Sequence, residues 1–271
     1  MMDQLKSVVH DGCKIAYWTR GRGPAILLIQ GVGVQGAGWH PQIDALASQF
    51  TCIWFDNRGL GLSKPVDKQF SVEQMASDAH AVLLDSGYRQ AHIVGHSLGG
   101  LVAVQLALDH RASVESLSLL CTFSGGKYVA PLTARMIWLG MRTQIGTRRM
   151  RRLGFLRLVS PPGPISDPDA MADRVGKLFG HDLADQPSIV RRQLRAMKSC
   201  DITSRLKELA GLPTTVVSAT HDPIAPPSSG RVLSNGIPNA RYVEFKDASH
   251  GLPITHALEI NQLLIESLQP N

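Results

Sequence analysis

A glycine-bounded stretch, Gly95-His96-Ser97-Leu98-Gly99-Gly100, lies between two apolar runs and limits the possible folds of this chain. The run before it suits a buried strand, and the run after it has helical character. A G-x-S-x-G string between a strand and a helix is the pattern in which a serine occupies a strained turn at the carboxyl edge of a sheet. The flanking glycines are needed because such a turn brings two backbones too close for side chains. The sequence therefore predicts that Ser97 is a nucleophile, and an ordinary Gly-Ser turn is the structural alternative.

Strand-like and helix-like segments alternate along both halves of the chain. Two antiparallel strands joined at Asp11-Gly12 are predicted to open the fold, because Asp-Gly favours a tight hairpin turn. Further strands are predicted at 25–29, 51–55, 91–94, 114–120, 214–218 and 241–245, with helices between them. This alternation predicts an α/β fold with a mostly parallel, doubly wound sheet.

The alternation stops after residue 123 and resumes at residue 213. The interval contains segments of helical composition and a proline-rich break. We therefore expect a core made of residues 1–123 and 213–271, with residues 124–212 inserted as a helical lid.

The basic charge of the protein is concentrated in this insertion. Residues 131–200 hold 13 Lys and Arg against 5 Asp and Glu, which exceeds the net charge of +6 for the whole chain. Recognised nucleic-acid motifs are absent from the sequence, so no nucleic-acid partner is predicted. We interpret Arg148, Arg149, Arg151 and Arg152 as a solvated helix face. The alternative is that they attract an anionic substrate or a membrane surface.

The sequence also gives expectations about location and cofactors. It contains no apolar stretch long enough to span a bilayer, and its polar opening lacks the apolar core of a secretory signal. A cytoplasmic protein is therefore predicted. The four cysteines lie far apart, so we expect neither a zinc site nor a dithiol redox site, and no metal or cofactor.

A serine hydroxyl needs a base, and the base needs a partner that fixes its tautomer. Two loops in the last third of the chain supply such residues: Asp222 follows the strand 214–218, and His250 follows the strand 241–245. Loops after parallel strands lie at the same edge of a sheet. Ser97, Asp222 and His250 are therefore predicted to meet.

Four nearby residues are weaker candidates. Asp247 is an alternative acid, although it lies only three residues before His250. His96 adjoins the serine but is expected to point elsewhere on a tight turn, and His221 is interpreted as a loop residue. Cys121 is interpreted as a core residue, because the sequence places no base beside it.

Taken together and in this order, these motifs resemble those of the α/β-hydrolase family, and the resemblance covers nearly the whole chain apart from the lid. The stretch 95–99 resembles the nucleophile elbow, Asp222 with its following prolines resembles the acid loop, and His250-Gly251 resembles the histidine loop. The segment 56–63 is similar to another common loop of that family. The resemblance implies that Ser97 attacks a carbonyl carbon, that His250 transfers the proton, and that Asp222 orients the imidazole.

The resemblance also implies an oxyanion hole made of two backbone N–H groups, one from Leu98 and one from Val32 in the glycine-rich loop 30–38. Many relatives have His-Gly where this chain has Gln30-Gly31. The backbone donors should be unaffected, whereas the side-chain hydrogen bonding of the loop should differ.

Four residues are candidates for the substrate pocket: Gln30, Trp39, Trp138 and Met141. The two lid residues, Trp138 and Met141, could equally form the lid's own core. For Trp39, packing at a helix start is an equal alternative.

The resemblance implies a serine hydrolase without a cofactor, which cleaves a carboxylic ester or lactone of a small, largely apolar substrate through an acyl-enzyme intermediate. Serine argues against the epoxide-hydrolase and haloalkane-dehalogenase branches, which by family resemblance use aspartate at this position. Cleavage of a carbon–carbon bond in a β-diketone, acyl transfer and perhydrolysis use the same triad and stay open. A non-catalytic small-molecule receptor is the alternative from another class.

Overall fold

A computed structural model describes residues 3–126 and 134–268. The strands are β1 (Gln4–His10), β2 (Cys13–Gly21), β3 (Ala25–Ile29), β4 (Thr51–Phe55), β5 (Ala91–His96), β6 (Val114–Leu120), β7 (Thr214–Ala219) and β8 (Arg241–Phe245). They form one sheet in the order β1-β2-β4-β3-β5-β6-β7-β8. β2 is antiparallel to both of its neighbours, and the remaining pairs are parallel. The predicted α/β fold with a mostly parallel sheet is confirmed.

The hairpin at the edge of the sheet turns at the predicted dipeptide. Asp11 and Gly12 both have positive φ, 43° and 72°, which suits the tight turns that match the twist of paired strands. In the interior of the sheet, β3 is buried along its whole length. Its alternate side chains enter two different apolar clusters, one on each face of the sheet, because successive residues of a strand point to opposite sides.

Helices cover both faces of the sheet, as expected for a doubly wound fold. The helices are α1 (His40–Leu46), α2 (Val72–Asp85), α3 (Leu98–Asp109), α4 (Ala134–Arg142), α5 (Arg148–Val159), α6 (Pro168–Phe179), α7 (Val190–Ser199), α8 (Pro227–Gly236), α9 (Leu252–Thr255) and α10 (Ala257–Leu268). One cluster contains residues of α2, α3 and α8. The other contains residues of α1 and α10.

Helices α4 to α7 all lie between β6 and β7, and we call residues 134–199 the inserted helices. They fall within the insertion predicted at 124–212, of which residues 127–133 lie outside the described part of the chain. Part of α5 and α6 packs around a small apolar cluster that is separate from the two sheet clusters. Within the described residues, the helices are too short or too polar to cross a membrane.

Candidate active site

Ser97 lies in a sharp turn between β5 and α3. Its backbone has φ 55° and ψ −124°, a conformation that costs energy for any residue with a side chain. The neighbouring glycines allow the turn: a Cβ at Gly95 would lie 2.4 Å from the carbonyl oxygen of Gly99, and a Cβ at Gly99 would lie 2.0 Å from that of Ile29. The Ser97 backbone is also fixed by hydrogen bonds, since its N–H donates to Leu120 O at 3.0 Å.

His250 and Asp222 lie beside this serine, in the loops that follow β8 and β7. His250 Nε2 is 3.0 Å from Ser97 Oγ, and His250 Nδ1 is 2.7 Å from Asp222 Oδ2. The other carboxylate oxygen of Asp222 accepts hydrogen bonds from the N–H groups of Ile224 at 2.8 Å and Ala225 at 2.9 Å. The three side chains are each 8% exposed or less.

This geometry sets the chemistry of His250. The Asp222 carboxylate only accepts hydrogen bonds, so the proton of a neutral His250 belongs on Nδ1. The Nε2 lone pair then faces the Ser97 hydroxyl and can accept its proton. The arrangement can generate a serine nucleophile in a buried setting.

His96 supports the same loop from the other side. Its Nε2 is 2.9 Å from the backbone carbonyl of His250, an oxygen that can only accept. Burial, reinforced by the charge that His250 can carry, lowers the pKa of His96 to about 3. His96 is therefore neutral at ordinary pH and donates from Nε2.

The two predicted oxyanion donors flank the serine. Leu98 begins α3, and Val32 lines the cavity beside Ser97. Gly31 approaches so closely that a Cβ there would lie 3.0 Å from Ser97 Cβ. Among the described residues, neither the Val32 N–H nor the Leu98 N–H donates in a backbone hydrogen bond of the loops, turns and caps, which is consistent with the roles that the resemblance implies for them.

Gln30 also lines this cavity, and its side chain bonds to the loop that carries Val32. Gln30 Oε1 accepts from the Gly31 N–H at 3.2 Å, and its backbone oxygen accepts from Asn57 Nδ2 at 2.9 Å. The side-chain amide of Gln30 thus forms a hydrogen bond within its own loop, next to Ser97.

The cavity at the serine has a volume of about 200 Å³ and a mostly apolar wall. The inserted helices contribute Phe155, Leu158, Val159, Phe179, Leu194 and Met197. These residues were missed from the sequence, although 155, 158 and 159 have the spacing of one helix face. Frequent arginines before them in α5 obscured that pattern.

Three predicted pocket residues lie elsewhere. Trp138 and Met141 are each 48% exposed and are not part of the cavity wall. α4 instead buries Leu139, while Arg142 lies over the Trp138 ring at 5.7 Å. Trp39 is fully buried behind the site, with its ring edge-on to His96.

The other weaker candidates, Asp247, His221 and Cys121, take no part in the hydrogen bonds between Ser97, His250 and Asp222 Oδ2. Asp247 and His221 are exposed, and His250 bonds to Asp222 instead. Cys121 is buried, and burial followed by the nearby Asp222 charge raises the pKa of its thiol well above the usual range. A thiol in that state is a poor nucleophile.

The arginines of α5 are paired with acids of the inserted helices. Arg148 and Arg152 bond to Asp182, Arg149 to Asp169, and Arg151 to Asp185. Hydrogen bonds from the arginines, chiefly Arg152, hold the pKa of Asp182 well below its usual range. This pairing favours the solvated-face interpretation over a free cationic surface.

The fold and the serine site define a hydrolase of the α/β type, and comparison with known families agrees. The family model for the alpha/beta hydrolase fold matches residues 24–257, so the chain belongs to that family and is an enzyme of that fold.

The chain is also similar to particular proteins in sequence and in structure. The chain is 29% identical over 253 residues to a Klebsiella pneumoniae protein provisionally named carbamate hydrolase RutD, covering 90% of this chain and 91% of the relative. A solved enol-lactonase from Burkholderia xenovorans LB400 superposes with a TM-score of 0.81 at 23% identity, covering 97% and 99% of the two chains. Est816, described as an N-acyl homoserine lactone degrading enzyme, gives a TM-score of 0.79 at 25% identity, covering 96% and 99%.

Proposed function

We propose that this protein is a serine hydrolase that cleaves a carboxylic ester or lactone of a small, largely apolar substrate. The observation that carries the proposal is the hydrogen-bonded series from Asp222 through His250 to Ser97 at the wall of an apolar cavity. Pockets of this kind bind apolar groups and orient them with few polar contacts.

In the proposed reaction, Ser97 Oγ attacks the substrate carbonyl carbon while its proton passes to His250 Nε2. The carbonyl oxygen becomes an oxyanion and accepts hydrogen bonds from the Val32 and Leu98 N–H groups. The bond to the leaving oxygen then breaks, and that oxygen takes the proton from His250. In the second half of the reaction, a water molecule gives a proton to His250 Nε2 and attacks the acyl carbon. The bond between that carbon and Ser97 Oγ then breaks, Oγ takes the proton from His250, and the carboxylic acid leaves.

We further propose that residues 124–212 act as a lid that selects the acyl group. The proposal is supported by the six apolar side chains that the inserted helices contribute to the cavity wall. The alternative of a carbamate substrate is supported by the name of the Klebsiella pneumoniae relative. The same serine would attack a carbamate carbonyl. The choice between an ester and a carbamate substrate therefore depends on the leaving group and on the apolar substituent, and not on the nucleophile.

The test is hydrolysis by purified protein of p-nitrophenyl esters from acetate to octanoate, N-acyl homoserine lactones and aryl carbamates. Ser97→Ala should lower kcat by more than about 10⁴-fold, because the nucleophile is lost. The same variant should also lose covalent labelling by a fluorophosphonate. Ser118→Ala is the matched control, since Ser118 is a buried serine whose hydroxyl has no partner among the described residues.

Wild-type rates in Ser97→Ala would refute the proposal. Stoichiometric binding without product release across the whole panel would favour the receptor alternative. The preferred substrate of the panel distinguishes ester, lactone and carbamate cleavage.

A further inference from the structure

The glycine-rich loop that carries Val32 is bound by the inserted helices at Gly33. The Gly33 N–H donates to Gln193 Oε1 of α7 at 2.9 Å. The Gly33 carbonyl oxygen is 3.0 Å from Nε2 of His181, which follows α6. Both backbone hydrogen-bonding groups of Gly33 therefore have partners on the inserted helices.

The same loop has a further contact of this kind. The backbone N–H of Gln35 donates to the carbonyl of Phe179 at 3.2 Å. Towards the end of the loop, the anchor belongs to the core instead, because Asp56 Oδ1 accepts from the Gly36 N–H at 2.9 Å. Among the described residues, the partners of Gly33 come from the insertion and not from the sheet.

The position of Gly33 gives these bonds a consequence for chemistry. Val32 lies between Gly31 and Gly33, and glycine backbones have the widest conformational freedom of any residue. A donor group stabilises an oxyanion only when its direction is fixed before the charge develops. Fixing the Gly33 backbone therefore restricts the neighbouring Val32 N–H.

We propose that Gln193 and His181 are positioning residues, which hold the Val32 N–H in the direction required by the oxyanion. The inference rests on the proposed hydrolase function and deepens it. The inserted helices then have two roles, since they supply the cavity wall and also align one of the two oxyanion donors.

The burial of Gln193 suits this role. Its side chain is fully buried and packs next to the loop, where a Cβ at Gly33 would lie 3.0 Å from Val190 Cγ2 of the same helix. Loss of the Gln193 oxygen would leave the Gly33 N–H without an acceptor in a water-poor setting. The loop would then be free to shift towards another partner.

His181 is held on both sides of its ring. Its Nδ1 is 2.8 Å from the carbonyl oxygen of Asp182, while Nε2 faces Gly33 O. Both partners are carbonyl oxygens, which only accept, so the contact with Gly33 is a hydrogen bond when Nε2 of His181 carries a proton. A side chain that replaces His181 must therefore place a hydrogen-bond donor at the position of Nε2 to keep the contact with Gly33.

The first experiment compares Gln193→Met, which keeps the length of the side chain but removes the acceptor, with Gln193→Glu, which restores an oxygen. Gln193→Met should lower kcat for p-nitrophenyl butyrate by about 10- to 100-fold, since a displaced donor should cost less than the roughly 10²- to 10³-fold that follows its complete loss. KM should change by less than about threefold, because the oxyanion bond forms mainly in the transition state. Gln193→Glu restores an acceptor for the Gly33 N–H, so its kcat should exceed that of Gln193→Met, although a carboxylate at this buried position carries a cost of its own.

The second experiment uses His181→Phe and His181→Gln in the same way. The glutamine Nε2 can donate to Gly33 O, whereas phenylalanine cannot. We expect kcat to fall in the phenylalanine variant and to be largely recovered in the glutamine variant. Two independent pairs keep the test valid if one variant fails to fold.

The control is Thr143→Val, which removes a buried hydroxyl of the inserted helices that bonds within its own helix end, to Gly140 O at 2.8 Å. It should lower the melting temperature without changing kcat. Unchanged kcat in folded Gln193→Met and His181→Phe would overturn the proposal. Because wild type and Ser97→Ala are measured in parallel, that outcome is distinct from failure of the hydrolase assignment, in which wild type shows no Ser97-dependent turnover.

Discussion

Replacing Asp222 by asparagine keeps the shape of the acid and removes its charge. One carboxylate oxygen is fixed by the N–H groups of Ile224 and Ala225, at 2.8 and 2.9 Å, and the other lies 2.7 Å from His250 Nδ1. The asparagine oxygen must face the two backbone donors, because the opposite orientation would direct its NH₂ group at both of them. The NH₂ group is then forced towards His250 Nδ1.

This orientation places the imidazole in the wrong tautomer. With a donor opposite Nδ1, the proton of His250 moves to Nε2, and no lone pair remains for the Ser97 proton. The corresponding change in a serine protease lowers kcat by about 10⁴-fold. At 1.36 kcal/mol per factor of ten, this equals about 5 kcal/mol of transition-state stabilisation.

The assay is steady-state hydrolysis of p-nitrophenyl butyrate at pH 7, with thermal unfolding to show that the variant is folded. Asp247→Asn is the matched control: it removes the same charge from an exposed loop position near His250. Its kcat should stay within about twofold of wild type, as for a surface change away from the site. A folded Asp222→Asn that loses less than about 10-fold in kcat would refute the tautomer argument.

Three further predictions concern a buried ion pair, the cavity wall and the turn at Ser97. Arg58→Met should lower the free energy of unfolding by up to about 3–5 kcal/mol, because the buried Asp78 carboxylate loses its two-point partner and keeps only the contacts with His10 and Gln74. Urea unfolding measures this, and a loss below about 1 kcal/mol would contradict the value. Phe179→Ala should shift the preference for p-nitrophenyl esters towards longer acyl chains, since it enlarges the cavity; an unchanged kcat/KM profile would speak against that wall. Gly99→Ala should prevent normal folding, because the added Cβ would lie 2.0 Å from Ile29 O. A wild-type melting temperature in that variant would show that the turn can relax.

Strands, and the loops that carry the acid and the base, could be predicted from local sequence patterns. The segments 25–29, 51–55 and 114–120 became strands with the predicted bounds. For the first two the reason is that strands buried on both faces of a parallel sheet need nearly continuous apolar sequence. The proximity of Asp222 and His250 could also be predicted, since both follow strands and the loops after parallel strands lie at one edge of the sheet. Each of these inferences uses only neighbouring residues and the geometry of one sheet.

The pocket could not be predicted in the same way. Trp138 and Met141 have the composition of a pocket wall, but α4 turns them outwards and buries Leu139 instead. The direction in which an inserted helix presents its residues depends on how it packs against the others. That packing involves residues distant in sequence, so composition alone misassigns the face.

The fold class and the candidates for the nucleophile, the base and the acid could be derived from the order of residues alone, because they depend on short-range steric rules and on strand order. The side chains of the cavity wall and the hydrogen bonds that fix the loop of Val32 became evident in the folded chain. Gln193 and His181 are 160 and 148 residues from Gly33 along the chain. Hydrogen bonds over such separations exist only once the inserted helices have packed against the core, and no local pattern encodes them.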